Sequence, residues 1–313
     1  MSVQPSQAPQ WMQRKERGSM FWLRVMRIIS MAVGRGPSRI VVYGIGLYFV
    51  LAASTARQAS QAYLARCLGR RPTWLELFRH VLTFASTVHD RFYLLNDRED
   101  MFDVHCVGVP PESLAEAGDA SGPQGALLFG AHLGSFEVLR AAARWDAQGK
   151  VCVAMYPENA RQINEALAAI NPTAVSNIIA LGKMDSILTI HQRLQEGGMV
   201  GILADRAVGA ADQYVSLPFL GAPAQFPVGP FRLAAMMKQP VYFMAGLYRG
   251  GNRYEVHFEL LTDFSDRAGK SRDVLTQELM ARYVATLERH CRAAPFNWFN
   301  FYDFWGDPQG GTV

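Results

Sequence analysis

At 313 residues, half of them hydrophobic and 19% charged, the chain is long enough to bury a sizeable core. Its formal charge of +4 is concentrated at one end: over residues 1–40, Arg14, Lys15, Arg17, Arg24, Arg27, Arg35 and Arg39 face Glu16 alone, and the remainder is slightly acidic. That distribution argues against a nucleic-acid binder, and the scattered Cys67, Cys106, Cys152 and Cys291, with no C-x-x-C pair, argue against a disulfide framework or a thiolate metal site and for reduced, mostly buried thiols.

Residues 1–19 are polar and aperiodic and are expected to form a flexible tail. The following cations alternate with Phe21, Trp22, Leu23, Val25, Met26, Ile28 and Ile29, a mixture suited to an anionic membrane surface. The apolar run from Ile40 to Ala53 is shorter than the roughly 20 residues that span a bilayer. It is expected to be an uncleaved anchor or an interfacial helix on the cytoplasmic side, with a buried core helix as the alternative. Residues 20–95 form one helical region. Its last helix starts at Thr73, a cap after Pro72, and carries Trp74, Leu75, Leu77, Phe78, Val81, Leu82 and Phe84 as a broad apolar face.

From residue 125 onward, short β-type runs (126–131, 150–155, 176–181, 199–204, 241–248, 254–261) alternate with helical segments (135–147, 160–170, 184–196, 229–238, 272–292). This is the pattern of an α/β domain, here assigned to residues 96–313, with a mixed, largely parallel sheet flanked by helices.

The strand at 126–131 delivers His132-Leu-Gly-Ser-Phe-Glu137, after which a helix begins. Neutral imidazole takes a proton from a hydroxyl nucleophile near pH 7, and a carboxylate on its other nitrogen fixes the tautomer. The spacing lets Glu137, in the first helical turn, fold back to His132. Gly134 and Ser135 then present backbone N–H groups to a developing oxyanion, with Ser135 as helix cap. The strand at 199–204 ends in Asp205-Arg206, which come near His132 if both strands lie in one parallel sheet, where ligands bind at the carboxyl ends. A serine-hydrolase elbow is excluded because Leu133 and Glu137 occupy the glycine positions around Ser135. A dinucleotide fingerprint at Gly44 and Gly46 lacks its third glycine, which is Phe49.

These pieces, taken in order, resemble the late lipid A acyltransferases (lauroyl and myristoyl transferases) of the wider lysophospholipid acyltransferase superfamily. The shared elements are the H-x4-E block at His132 and Glu137, the run ending at Asp205, Pro218–Pro223, the Gly229-Pro-Phe-Arg-Leu-Ala helix, the strand after Pro240 and the aromatic end near Pro295. The resemblance implies that His132 is the general base, Glu137 its charged partner and Asp205 part of a substrate surface. It implies a fatty acyl thioester donor, acyl carrier protein or CoA, and a lipid or glycolipid hydroxyl as acceptor. It also implies attachment to the cytoplasmic face of the inner membrane through residues 20–55, with no metal, cofactor or nucleic acid.

The sequence departs from that pattern at Arg206, where glutamine is common, at Tyr156-Pro157, where many members carry arginine, and in its aromatic ending. A divergent branch acting on other lipids is the resulting expectation, with Arg161 and Lys183 supplying phosphate contacts beside Tyr156. A non-catalytic lipid carrier or scaffold is the alternative. Trp298, Phe299, Phe301, Tyr302, Phe304 and Trp305 are expected to pack on the core, with Asn297, Asn300 and Asp303 finding backbone partners, and a membrane-interface belt is the alternative.

Overall fold

The computed structural model describes residues 26–108, 125–143, 151–157, 165, 167, 170, 171, 178–182, 184–206 and 213–306. The expected tail, Arg161 and Lys183 lie outside them.

After helical residues 26–33, α1 (Arg35–Ala52) and α2 (Ser54–Leu68) meet at a 92° bend. The break falls at Ala53, whose φ of −89° and ψ of 77° leave the helical region. No single described helix is long and apolar enough to cross a membrane, although this bent pair passes that test jointly. A narrow stripe of α1, Ser38, Val42, Gly46 and Val50, is buried. Gly46 on this stripe lies against Phe78 and Leu82. The rest of this apolar helix faces outward: Ile40 is 75% exposed and Leu51 62%.

Helix α3 (Trp74–Leu94) opens with a reciprocal cap: the Thr73 hydroxyl accepts from the Glu76 N–H while the Glu76 carboxylate accepts from the Thr73 N–H. Its buried face differs from expectation. Trp74 and Leu75 are exposed, and beside Leu77 and Phe92 the interior takes His80, Thr83, Ser86, Thr87, His89 and Asp90. These polar groups are buried because they fasten neighbours. Asp90 receives Arg35 Nε at 2.8 Å, Arg35 Nη2 at 3.0 Å and the Tyr254 hydroxyl at 2.7 Å. His89 Nε2 meets Ser38 Oγ at 2.8 Å.

The main sheet has seven strands: β1 (Asp103–Val107), β2 (Ala126–Gly130), β3 (Val151–Met155), β4 (Ile178–Ala180), β5 (Met199–Leu203), β8 (Val241–Gly250) and β9 (Arg253–Thr262). Their order is β1-β9-β8-β2-β5-β3-β4, and every pairing is parallel except the β8–β9 hairpin. The predicted strands are thus present in a mixed, largely parallel sheet. Two pieces escaped the sequence reading: edge strand β1, and the separate antiparallel ribbon of β6 (Tyr214–Phe219) and β7 (Ala222–Pro227).

Both faces of β2 are buried, which is why its sequence is a continuous apolar run. Leu127 and Phe129 join one core layer with Tyr63, Phe231, Tyr283 and Trp298, and Leu128 joins the other with Phe92, Val138 and Tyr254. The helices α4 (Phe136–Ala143), α5 (Met184–Gln195), α6 (Gly229–Met237) and α7 (Arg272–Ala293) cover the sheet. None of the four cysteines forms a disulfide among the described residues; three are buried and Cys106 is exposed.

Candidate active site

Strands β2 and β5 are parallel neighbours with Gly130 opposite Leu203, so the residues just past their carboxyl ends come off side by side. His132 and Asp205 are therefore brought together, as the parallel-sheet expectation required. The imidazole Nδ1 lies 2.9 Å from Asp205 Oδ1, and the His132 backbone N–H donates to Oδ2 at 3.0 Å. Asp205 is fully buried, and Trp298 Nε1–H adds a third donor at 3.2 Å. Burial opposes ionisation of this carboxyl, but His132, Arg206 and these hydrogen bonds hold it far below the ordinary carboxylate range.

An ionised carboxylate only accepts, so His132 Nδ1 carries the proton and Nε2 keeps its lone pair. The His132 side chain is one-third exposed, and Nε2 takes no hydrogen bond from the described residues. Burial, then the Arg206 and Arg91 charges, lower the imidazole pKa against the pull of Asp205. The ring is neutral at pH 7, the state a base requires.

Glu137 does not hold the ring. It stands 2.9 Å from Arg91 Nε and accepts the Ser135 hydroxyl at 3.2 Å. The expected fold-back of Glu137 is replaced by an ion pair to α3, and the role of orienter passes to Asp205. Ser135 correspondingly donates to Glu137 instead of capping free N–H groups.

The expected oxyanion donors are also engaged elsewhere. Gly134 N–H donates to Asn297 O at 2.8 Å and Ser135 N–H to Gly246 O at 2.7 Å. What Gly134 provides is a turn. Its φ is +78°, and a β-carbon would fall 1.9 Å from Gly246 O, so only glycine fits. Gly134→Ala is expected to cost at least about 2–3 kcal/mol through strain and collision, seen as a lowered urea midpoint with an unchanged slope.

Arg206 donates from Nη2 to Phe299 O at 2.7 Å, and its guanidinium lies 5.0 Å from the Tyr302 ring centroid. Its Nε is buried with no hydrogen-bond partner among the described residues. Tyr156 follows β3 at the same sheet edge, two strands from β2.

Trp298 and Phe299, expected to pack on the core or to line a membrane interface, both touch the site. Phe299 N–H donates to His132 O at 2.7 Å, and Trp298 bridges Leu133. The aromatic ending does pack on the core, with Trp298 4.9 Å from the Tyr63 ring and 4.8 Å from Phe304. Asn297 brackets the Tyr248 backbone and Asp303 accepts from Gly306 N–H, but the buried Asn300 side-chain amide, against expectation, finds no backbone partner among the described residues.

The two buried histidines of α3 differ from His132 in use. His80 Nε2–H donates to Trp298 O at 2.9 Å and Nδ1 accepts from Ser60 at 2.7 Å, which ties α2 and α3 to the segment beside the site. Burial holds its pKa down at about 4, against 6.5 when unfolded. Because the unfolded chain binds the proton first, His80 stabilises fully above pH 6.5, and this contribution is lost as pH falls from 6.5 to 4. The expected loss is about 3 kcal/mol, at 1.36 kcal/mol per pKa unit. Urea titrations across that window, with His80→Gln flattening the dependence, measure it.

The sequence profile of the bacterial lipid A biosynthesis acyltransferases matches residues 111–306, which include His132, Glu137, Asp205 and Trp298. The chain belongs to that family. A comparison with curated proteins gives no match. Membership makes the chain a lipid acyltransferase, and the His132–Asp205 pair lies within the part that defines it.

Proposed function

We propose that this acyltransferase moves a fatty acyl group from a carrier-protein or CoA thioester to a hydroxyl of a lipid or glycolipid, at the cytoplasmic face of the inner membrane. The observation that carries the reaction is the fixed tautomer of His132, with Nδ1 committed to Asp205 and Nε2 open. The acceptor hydroxyl gives its proton to Nε2 as its oxygen bonds to the thioester carbon. The carbonyl electron pair moves to oxygen, returns as the carbon–sulfur bond breaks, and the leaving thiolate takes the proton back from the imidazolium. With the Gly134 and Ser135 N–H groups engaged, positive charge for the oxyanion comes from Arg206, which follows Asp205 in the chain and is anchored on Phe299 O. Glu137, paired with Arg91, sets the start of α4.

The outward apolar side of α1, with Trp74 and Leu75, supports docking in the bilayer interface by the bent α1–α2 pair. The cations of residues 1–40 suit both an anionic leaflet and an acidic carrier protein. Membranes holding the protein, incubated with crude lipid and either labelled acyl carrier protein or labelled acyl-CoA, should yield an ester-linked acyl lipid by mass spectrometry. No transfer from either donor across a broad lipid panel overturns the reading.

A further inference from the structure

A cleft of about 440 Å³ opens at the carboxyl end of β8, on the same sheet edge as His132. Arg39 and Tyr43 of α1, Arg79 and Ser86 of α3, and Tyr248 and Arg249 of β8 line it, and its described lining contains no carboxylate. Glu255 offsets Arg249 from outside the lining at 2.6 Å. Arg39 is anchored without an acid, on the Tyr248 hydroxyl at 2.7 Å and on Gly251 O at 3.2 Å. Arg79 is exposed, lies 4.5 Å from the Phe296 ring centroid and forms no ion pair among the described residues. Two polar atoms of the lining are buried without a hydrogen-bond partner among the described residues: the hydroxyl of Ser86, itself 1% exposed, and Arg249 Nε.

Three guanidinium groups against one carboxylate leave an excess of about two positive charges around a concave space. A stranded buried hydroxyl and N–H are costly unless a ligand satisfies them. Arginine forks match phosphate oxygens, and a phosphate monoester carries about the charge needed. A concave space of about 440 Å³ admits a compact tetrahedral anion and not a folded protein surface. On α1 the cleft is flanked by Ile40 and Leu47, both exposed and within a turn of Tyr43, so a ligand with a phosphate head and an apolar tail finds both parts met.

We propose that this cleft binds the phosphate of a lipid headgroup. The inference goes beyond the acyl-transfer reading, since it does not use His132. The test uses the full chain and phosphatidylcholine vesicles with and without phosphatidic acid, with inorganic phosphate and glycerol phosphate as soluble probes. Arg79→Glu is expected to weaken binding to the phosphatidic acid vesicles at least tenfold, and Ser86→Ala several-fold, with circular dichroism and the thermal midpoint unchanged. Arg272→Glu makes the same charge change at the far end of α7, about 30 Å away at 1.5 Å per residue, and should leave binding within twofold. Loss in the vesicle arm alone assigns a lipid phosphate. Loss of soluble-phosphate binding in the same variants assigns recognition to the phosphate group itself, and either result supports the cleft. Wild-type binding by Arg79→Glu and Ser86→Ala, or equal losses for Arg79→Glu and Arg272→Glu, overturns it. So does a variant set that loses carrier-protein binding and keeps phosphate binding. His132→Ala should bind phosphate like the wild type, whereas a wild-type chain that binds phosphate but transfers no acyl group from either donor defeats the acyl-transfer reading and leaves this one standing.

Discussion

Asp205→Asn is expected to lower acyl transfer by about 10³–10⁴-fold while leaving the chain folded. His132→Ala should cost about 10²–10⁴-fold, the usual contribution of a general base. The asparagine variant matches or exceeds that loss because the amide can donate to Nδ1, which puts the proton on Nε2 and blinds the base. The geometry that exposes the ring to this error is the 2.9 Å contact from Nδ1 to Asp205 Oδ1, the oxygen not held by the His132 N–H and the Trp298 indole. The pH profile separates the residues around the ring. Activity needs neutral His132, so its acid limb lies below the ordinary imidazole value of 6.5. Removing the Arg206 charge with Arg206→Gln relieves one cause of the lowered pKa and moves the limb to higher pH. Asp205→Asn removes the opposing pull and moves it lower. Glu137→Gln should lower turnover and displace the limb less than Asp205→Asn does, since Glu137 contacts Arg91 and Ser135 and reaches the ring only through the Arg91 charge. Steady-state rates from pH 4 to 8 for the three variants measure this, and a limb displaced further by Glu137→Gln than by Asp205→Asn would return the role of orienter to Glu137.

Asp90→Ala is expected to destabilise the fold by about 3–5 kcal/mol, the cost of removing one partner from a buried ion pair. Asp90 is fully buried and Arg35 is 12% exposed on its side chain, so the substitution strands a guanidinium and the Tyr254 hydroxyl together. Burial alone would raise the Asp90 pKa, but His89, Arg35 and Tyr254 hold it below its ordinary value. The contribution is therefore complete above the unfolded pKa and is lost as pH falls through the folded one. The double variant Asp90→Leu with Arg35→Met should be less harmful than Asp90→Ala, because no charge is left behind. Urea denaturation of the single and double variants decides it, and equal losses would show that packing around α1, not the ion pair, dominates.

Much of the sheet was legible because its strands are buried on both sides and spell continuous apolar runs, as at residues 126–130. Strand β1 was not, since four of its five residues are exposed at an edge. The β6–β7 ribbon was hidden by Pro218, Pro223 and Pro227, which argue against a strand until the ribbon is seen to stand apart from the main sheet. Within the site, His132 and Asp205 were legible as the ends of parallel strands. The choice between Asp205 and Glu137 as the ring's partner was not. Five residues of spacing permit a fold-back, but the left-handed turn at Gly134 and the start of α4 at Phe136 carry Glu137 towards Arg91. The polar interior of α3 escaped for a similar reason. His80, His89 and Asp90 look like surface residues until their partners, dozens to hundreds of positions away, are in place.

The imidazole's pedestal includes chain far downstream. Residues 297–299 receive the Gly134 amide, donate to the His132 carbonyl and send the Trp298 indole to Asp205. A protein truncated after α7 would keep every strand and both members of the dyad, yet its base would lack a wall. Such a truncation should look nearly native by secondary structure and be silent in turnover, and a peptide spanning the missing aromatics, added back in trans, is the natural means of restoring it.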